Sequence, residues 1–345
     1  MKSNETLLEL LKKDAQYVNE RIKLNPLDGL NITITGATGL IGFNIISALT
    51  YYNNNYATNC ININALSYSQ PTGIIKKVFE KNNVNSIVGD LSDWSFTESL
   101  PISECIIHSA GYGQPGKFLD DKLKTISINT SATISLSKKL KKEGRFLFLS
   151  SSEIYSGCSS KENVESDIGT TSPEHPRSCY IEGKRSGEAI INVLRDRGYN
   201  ATSARLALAY GPGVRPGDER VLNQFIEKGM KGSINLLDSG QSMRTYAYIA
   251  DVVIMLLNIL IKNNESVYNV GGRSVLSIRD LATKISNEMN VDILFSKYGV
   301  RYDTVLAAGV PNDGSHDITV PNVSSSSSRV MVVATSNIFF NINIS

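Results

Sequence analysis

Three glycines in the stretch "TGATGLIG" constrain the fold of this chain more than any other feature. Gly36, Gly39 and Gly42 stand between a β-rich segment, "LNITIT", and an apolar helical pattern, "LIGFNIISALTYY". In a strand–turn–helix unit the first glycine allows a sharp turn, the second lets the backbone approach a pyrophosphate, and the third lets the helix pack on the strand. The N–H groups at the start of the helix then attract the anion. The turn predicts a bound dinucleotide, and a tight turn without ligand is the alternative.

Strand-like and helical segments alternate after this turn. The strand-like segments are rich in β-branched and aliphatic residues and read "ININALSY", "SIVGDL", "ECIIHSA", "RFLFLSSS" and "ATSARLALAY". Strands separated by helices form parallel sheets with both faces covered. The order therefore predicts an α/β fold: a Rossmann-type doubly wound parallel sheet with a small C-terminal substrate-binding lobe.

The same pattern predicts the domain boundaries. Residues 1–29 are expected to hold an N-terminal amphipathic helix, and residues 30–210 the NAD(P)-binding Rossmann domain, with a return segment near 240–270. Residues 211–239 and 271–345 are expected to form the substrate-binding lobe and tail. The end of the tail is low in charge and rich in serine, and it predicts no particular element.

Charge and cysteine content exclude several classes of function. Lys plus Arg is 35 and Asp plus Glu is 33 in 345 residues, so neither nucleic acid nor an anionic membrane is an expected partner. No apolar run has the length of a membrane span, and the N-terminus lacks a secretory signal. The four cysteines show no C-x-x-C spacing, which favours reduced thiols and no metal site. A cytoplasmic protein is expected.

The adenosine end of the predicted cofactor site lacks its usual markers. The second strand normally ends in an acid that binds the ribose hydroxyls, whereas Ser67, Tyr68 and Ser69 stand there and no arginine accompanies them. NAD is the predicted cofactor, and NADP stays open. Asp90, in "VGDLSD", is predicted either to accept a hydrogen bond from the adenine amino group or to act as a helix N-cap.

A tyrosine and a lysine form the predicted reactive pair. Tyr180 and Lys184, in "RSCYIEGKRSGEA", share one helix face because residues i and i+4 are neighbours. A free tyrosine has a pKa near ~10, and a nearby ammonium lowers that pKa. The phenolate is then a general base for an alcohol or sugar hydroxyl. A solvated helix face is the alternative.

Polar side chains at the end of a later strand are expected beside this pair. Ligands of open α/β sheets bind at the carboxyl ends of strands, and "FLFLSSSEIYSG" is such an end. Ser151 is predicted to hydrogen-bond the reacting oxygen, and Glu153 to face the substrate.

The motifs between residues 30 and 275 occur in an order that resembles one family. They are "TGATGLIG", "GDL", "HSA", "SINTSAT", "SSSEIYSG", "YIEGK", "RLALAYGPG" and "QSMRTYAYIADVV". Together they resemble the extended short-chain dehydrogenase/reductases, the NAD-dependent epimerase/dehydratase family that acts on nucleotide sugars. Within that family "HPRSCYIEGKRSGEA" and "SSSEIY" look most like the UDP-glucuronate decarboxylases, also called UDP-xylose synthases.

The resemblance implies a role for each matching residue. The implied catalytic residues are Ser151, Glu153, Tyr180 and Lys184. The implied cofactor-binding residues are Gly36, Thr38, Gly39, Leu40, Ile41, Gly42, Asp90, Leu91, Ser109, Ala110, Tyr180 and Lys184. Those grouped with the substrate are Asn129, which orders the helix behind the site, and Ser152, Arg215, Arg220 and Arg244.

The reaction implied by the resemblance is internal redox. Tyr180 takes the C4 hydroxyl proton while hydride leaves C4, the C5 carboxylate of the resulting 4-keto uronate departs as carbon dioxide, and hydride returns. A 4,6-dehydratase is the first alternative. Ser152 stands where the dTDP-glucose type has Asp, whereas the GDP-mannose type shares the Ser-Glu pair. A 4-epimerase usually has a small residue at the position of Glu153.

Further implications concern assembly and departures from the family. Relatives dimerise through a four-helix bundle that includes the tyrosine helix, so a homodimer is expected, and their products feed polysaccharide synthesis. Leu208 stands where most members have Asn. A dinucleotide-binding sensor protein without turnover is the non-enzyme alternative. Such proteins commonly lose the tyrosine or the lysine, and both are present here.

Overall fold

A computed structural model describes most of the chain. The described residues are 2–160, 162–214, 217–230, 236, 239–262, 264–287, 291–296, 304–310, 316–319, 329–334 and 338–340. The chain divides into two compact units. The first is Met1–Arg215 with Tyr246–Arg273, and the second is Pro216–Thr245 with Ser274–Ser345.

The helices and strands alternate through the first unit as predicted. The helices of the chain are α1 (Lys2–Arg21), α2 (Leu40–Asn55), α3 (Gly73–Lys81), α4 (Trp94–Glu98), α5 (Pro115–Asp120), α6 (Lys122–Asn129), α7 (Ser131–Ser137), α8 (Ser178–Asp196), α9 (Val221–Met230), α10 (Ile249–Lys262) and α11 (Ile278–Asn287). Short 3₁₀ turns cover Asn25–Leu27 and Ser152–Tyr155.

The described strands are numbered along the chain and occur in both units. They are β1 (Asn31–Thr35), β2 (Asn62–Ser67), β3 (Asn85–Val88), β4 (Ser103–His108), β5 (Leu140–Ser151), β6 (Asn200–Leu206), β7 (Leu208–Tyr210), β8 (Met243–Tyr248), β9 (Val267–Val270), β10 (Ser274–Ser277), β11 (Val291–Ser296), β12 (Thr304–Val310), β13 (Arg329–Ala334) and β14 (Ile338–Phe340).

A seven-stranded parallel sheet forms the centre of the first unit. Its strand order is β3-β2-β1-β4-β5-β6-β9. Ile32 and Ile34 of β1 are fully buried on one face, and Thr33 is buried on the other, as expected for a strand covered by helices on both sides. The predicted Rossmann-type doubly wound fold is therefore confirmed.

The strand order reverses between β1 and β4, and this reversal positions the site. The chain runs from β1 outward to β3 and then returns to β4 on the other side of β1. Ligands of open α/β sheets bind in the crevice that this reversal opens at the carboxyl ends of the strands. Gly36, Ser109 and Ser151 follow or end β1, β4 and β5, so they all lie at that edge.

The segment "ATSARLALAY" forms two strands, so its prediction as one strand is wrong. The chain leaves the large sheet at Ala207, whose N–H still donates to the Val270 carbonyl at 2.8 Å. Leu208–Tyr210 then pairs in parallel with the end of β8. The Tyr210 ring packs edge-on against Tyr248 with ring centroids 5.5 Å apart, and such cross-strand aromatic contacts stabilise the small pairing.

The N-terminal helix packs on the first unit. It spans Lys2–Arg21, within the residues 1–29 that the sequence assigns to an amphipathic helix. Leu11 and Val18 are buried in the same core as α2 and α10, whereas Leu8 is exposed. The Tyr248 hydroxyl donates to the Asp14 carboxylate at 2.9 Å, which joins α1 to the end of β8.

The second unit contains an antiparallel sheet of four strands. Its order is β12-β11-β13-β14, so two of its strands lie in the tail for which the sequence predicts no element. Its predicted role in binding substrate stays a prediction. Across the described ranges, no helix combines the length and the apolar content that crossing a membrane requires.

Candidate active site

The glycine-rich turn leaves no room for side chains at two of its positions. Gly36 has φ +64°, and a Cβ there would lie 2.8 Å from the Ser109 carbonyl oxygen. A Cβ on Gly42 would lie 2.5 Å from the Gly36 carbonyl oxygen. Gly39 is the N-cap of α2 and supplies no side-chain hydrogen bond to the helix start. The first N–H groups of α2 therefore face a cradle made of backbone, which fits a pyrophosphate.

A buried hydrogen-bond network joins the ends of β1 and β4 beside this turn. The Thr35 hydroxyl accepts from the Ala110 N–H at 3.0 Å and lies 2.8 Å from His108 Nδ1. His108 Nε2 lies 2.9 Å from the Ile128 carbonyl. Because a carbonyl can only accept, we assign the ring proton to Nε2, and Nδ1 accepts from Thr35. Burial lowers the pKa of His108 to about 4, so the ring is neutral.

Asp90 already has partners within the protein. Its carboxylate accepts from the Ser92 N–H at 2.9 Å and from Lys124 Nζ at 2.6 Å. Burial raises the pKa of Asp90, but these hydrogen bonds outweigh it and hold the pKa below its usual value. The alternative prediction of a helix N-cap is wrong, because Asp93 caps α4 by accepting from the Ser95 N–H. The adenine contact of Asp90 stays a prediction.

Lys124 also marks the end of β2, where the usual acid is missing. Its Nζ lies 4.3 Å from the centroid of the Tyr68 ring, a cation–π contact. The Ser67 hydroxyl donates to the Ser69 carbonyl at 2.9 Å. The ends of β2 and β3 therefore meet at a lysine, which was not among the predicted site residues.

Tyr180 and Lys184 lie one turn apart on α8, as their spacing predicts. Lys184 Nζ donates to the Leu149 carbonyl at 2.7 Å and lies 5.8 Å from the centroid of the Tyr180 ring. Lys184 is buried, and burial lowers its pKa to about 7, while the charge of Glu188 acts in the opposite direction. With this pKa, the charge on Lys184 is expected to depend on pH near neutrality.

Gly187 lets α8 pack closely on the sheet. A Cβ on Gly187 would lie 2.3 Å from the Phe148 ring of β5 and 3.0 Å from the Asn129 carbonyl oxygen. Asn129 is fully buried and donates to the Thr125 carbonyl at 2.8 Å. It therefore packs against α8 beside Gly187. Its ordering role stays a prediction, and a fully buried side chain is not in position to contact substrate.

The predicted Ser151 and Glu153 lie together at the end of β5. The Ser151 hydroxyl accepts from the Glu153 N–H at 3.2 Å. Glu153 forms an ion pair with Arg177, whose Nη2 lies 2.7 Å from the carboxylate. Arg177 directly precedes α8 and was not among the predicted site residues. Its place three residues before Tyr180, on nearly the same helix face, was the available signal.

Phe118 completes this group of side chains. Its ring stacks on Tyr180 with centroids 4.7 Å apart and an interplanar angle of 14°. The Arg177 guanidinium carbon lies 5.5 Å from the centroid of the same ring. The Glu153 carboxylate, the Arg177 guanidinium and the Tyr180 phenol thus form one group with the Phe118 ring at the start of α8.

Two of the three predicted arginines lie in the second unit. Arg220 lies in the second unit and pairs with Asp218, with Nη2 2.6 Å from the carboxylate. Arg244, also in the second unit, is exposed and donates to the Met243 carbonyl. Arg215 lies outside the described residues. Ser152 is exposed at the end of β5. In the described part of the chain, His, Cys, Asp and Glu side chains form no cluster of three that could hold a metal.

Residues 32–271 match the model of the NAD dependent epimerase/dehydratase family. The chain belongs to this family. Membership confirms the predicted family, the prediction of an enzyme and NAD as its cofactor.

Curated relatives share about a quarter of the residues. UDP-glucuronic acid decarboxylase 1 of Xenopus tropicalis is 27% identical over 272 residues, which cover 76% of this chain and 61% of that protein. UDP-glucuronic acid decarboxylase 3 of Arabidopsis thaliana is also 27% identical over 272 residues, covering 76% of each chain. This chain thus spans less than two thirds of the Xenopus protein.

Solved structures show the same fold. UDP-glucose 4-epimerase from Thermotoga maritima, with UDP-glucose, superposes with a TM-score of 0.63 at 22% identity, covering 85% of this chain and 94% of that chain. The dTDP-glucose 4,6-dehydratase DesIV from Streptomyces venezuelae, with NAD bound, gives a TM-score of 0.61 at 19% identity, covering 74% and 80%.

Proposed function

We propose that this chain decarboxylates UDP-glucuronate or a related nucleotide uronate, with oxidation and reduction at C4 within one catalytic cycle. The observation that carries the proposal is the Glu153–Arg177 ion pair next to the stacked Tyr180 ring. It adds a carboxylate, held in place by a guanidinium, to the Tyr180–Lys184 pair that hydroxyl oxidation requires. The names of the Xenopus and Arabidopsis relatives support the same reaction.

The residues of the glycine turn fit the cofactor diphosphate. Gly36 and Gly39 expose backbone at the start of α2, and Gly42 allows α2 to pack close to the turn. When bound, NAD supplies an acceptor for the C4 hydride and later returns it.

Tyr180 removes the C4 hydroxyl proton in this proposal. The Lys184 ammonium stabilises the phenolate by its charge, and the Ser151 hydroxyl donates to the reacting oxygen. Lys184 is itself held by the Leu149 carbonyl, so its charge stays in place beneath the tyrosine.

Glu153 and Arg177 act at C5 in this proposal. Oxidation at C4 gives a 4-keto uronate, whose carbonyl accepts the electron pair released when the C5–carboxylate bond breaks. Carbon dioxide leaves, and C5 gains a proton. Arg177 holds the Glu153 carboxylate in place, where it orients the ring or handles this proton.

Incubation with UDP-glucuronate tests the proposal. We expect carbon dioxide and a UDP-pentose as products. Loss of water from a neutral hexose nucleotide, without carbon dioxide from UDP-glucuronate, would point to a dehydratase. Inversion at C4 of such a hexose would point to an epimerase. Retained NAD with no turnover of these sugars would favour a binding protein.

Glu153→Ala is expected to slow carbon dioxide release by about 100-fold, because one group that orients the ring or moves the C5 proton is lost. Tyr180 and Lys184 are unchanged, so substrate-dependent reduction of the bound cofactor, followed by absorbance, should persist. Glu174→Gln alters an exposed carboxylate in the loop that leads into α8 and serves as the control. Unchanged carbon dioxide release in Glu153→Ala would remove Glu153 from the mechanism.

The homodimer also stays a proposal. Its support is exposed apolar surface on α8, the helix expected at the interface, and on α6, which packs against it. Leu123 and Ile126 of α6 are 81% and 39% exposed, and Val193 of α8 is 47% exposed. We likewise propose that Arg220 and Arg244 contact the nucleotide sugar.

A further inference from the structure

A buried ion pair lies behind the reactive helix. Glu188 of α8 and Arg205 of β6 are 8% and 4% exposed. Arg205 donates from Nη2 to Glu188 Oε2 at 2.8 Å and from Nε to Oε1 at 3.0 Å. The Ser150 hydroxyl, next to Ser151, donates to the same carboxylate. The carboxylate is therefore fixed by donors from two strands.

Arg205 is held in turn from its far side. Its Nη1 donates to the Tyr155 hydroxyl at 2.8 Å and to the Glu165 carbonyl at 2.7 Å. The Tyr155 hydroxyl donates to Asn269 Oδ1 at 2.6 Å. These contacts prevent the guanidinium from rotating away, so Glu188 keeps its partner.

Three ionisable residues follow one another along α8 at intervals of four. Tyr180, Lys184 and Glu188 share one face, with the lysine between the phenol and the carboxylate. The groups that face Lys184 are these two, the neutral His108 of β4, and the Leu149 carbonyl and Phe148 ring of β5. Glu188 is the fixed negative charge among them. Charges alternate in sign from Arg205 to a Tyr180 phenolate.

We propose that Glu188 is a positioning residue: its carboxylate, fixed by Arg205 and Ser150, keeps Lys184 protonated and so sets the pH at which Tyr180 ionises. The inference rests on the roles proposed for Tyr180 and Lys184. A buried lysine with a pKa of about 7 has little margin at neutral pH, so removal of the charge that opposes desolvation leaves it neutral. The phenolate then loses its counter-charge and forms only at higher pH.

A competing effect is weaker because of distance. Removal of Glu188 also removes a negative charge that repels the phenolate, which by itself would favour ionisation. Along the axis of α8, however, Glu188 lies about 12 Å from Tyr180, whereas Lys184 lies about 6 Å from it. The change at Lys184 therefore decides the sign.

Titration of Tyr180 in Glu188→Gln tests the proposal. The protein is labelled with carbon-13 at the tyrosine Cζ, saturated with NAD and followed by NMR as the pH is raised. The chain has 15 tyrosines, so the Tyr180 signal is assigned by its absence in Tyr180→Phe. We expect the midpoint to rise by about one pH unit or more in Glu188→Gln. Glu188→Asp keeps the charge, so its Tyr180 midpoint should lie close to the wild-type value.

Glu182→Gln is the matched control, because Glu182 lies on the same helix and pairs with Arg185 away from Lys184. A Tyr180 midpoint that is unchanged in Glu188→Gln, or that shifts equally in Glu182→Gln, would overturn the proposal. If Glu188→Gln does not fold, the double change Glu188→Gln with Arg205→Gln removes both charges, and the Tyr180 midpoint should still rise, but by less, because the nearby Arg205 cation is removed as well. The titration uses no sugar, so absence of uronate turnover would sink the proposed reaction without deciding this test.

Discussion

Tyr180→Phe is expected to lower kcat by about 10²–10⁴-fold, the range that loss of a general base produces. The phenyl ring keeps its stacking on Phe118, at 4.7 Å between centroids, so the helix and the aromatic contact should survive. Lys184 keeps its hydrogen bond to the Leu149 carbonyl. The loss therefore falls on proton transfer, and it is measured as kcat for carbon dioxide release and as the rate of cofactor reduction.

Tyr199→Phe supplies the control, because it removes the same hydroxyl just beyond the far end of α8. Its kcat should equal that of the wild type. Both variants should retain NAD and the wild-type melting temperature. A Tyr180→Phe protein with wild-type turnover would end the proposal that this phenol is the base, and loss of NAD would mean that the hydroxyl serves binding instead.

Arg205→Met is expected to lower the free energy of unfolding by about 3–5 kcal/mol, because it leaves the Glu188 carboxylate buried without its cation. Tyr155 and the Glu165 carbonyl lose their donor as well. Urea unfolding is followed by the fluorescence of Trp94, the single tryptophan, which lies on α4 and so reports the first unit.

A double change separates the charge from the packing. Glu188→Met with Arg205→Met removes both charges, and apolar replacement of a whole buried pair is often neutral. We expect it to recover much of the stability that Arg205→Met loses. Arg195→Met is the control: Arg195 donates to the Ala201 carbonyl at 2.9 Å and faces no buried carboxylate in the described contacts, so about 1 kcal/mol should be lost. If all three variants lose the same free energy of unfolding, the Glu188–Arg205 pair contributes to stability through packing and not through charge.

The glycine turn and the reactive pair could be predicted because each depends on residues close along the chain. Gly36 and Gly42 belong to one turn and the helix it opens, and the steric limits there are local. Tyr180 and Lys184 meet because helical geometry brings i and i+4 together. The alternation of strands and helices likewise predicts a parallel sheet, since a crossover connection must separate parallel strands.

The charges around the reactive helix could not be predicted, because their partners are distant in sequence. Arg177 lies 24 residues from Glu153, and Lys124 lies 34 residues from Asp90. Which of these side chains meet depends on strand order, on loop paths and on the depth to which each is buried. The division of "ATSARLALAY" into two strands has the same origin, since it depends on β8, far along the chain.

The absence of a side chain at Gly187 has a consequence for how this scaffold can diversify. The backbone of the helix that bears Tyr180 rests there on the Phe148 ring and near the Asn129 carbonyl, and the same ring lies 5.0 Å from Lys184 Nζ. The loops at the carboxyl ends of the strands take no part in this Gly187 contact. They can change in length and polarity while the phenol and the amine keep their coordinates, so new specificities can arise without rebuilding the chemistry. A methyl group added at position 187 should do the reverse, because it would push α8 away from Phe148 and displace Tyr180 and Lys184 together.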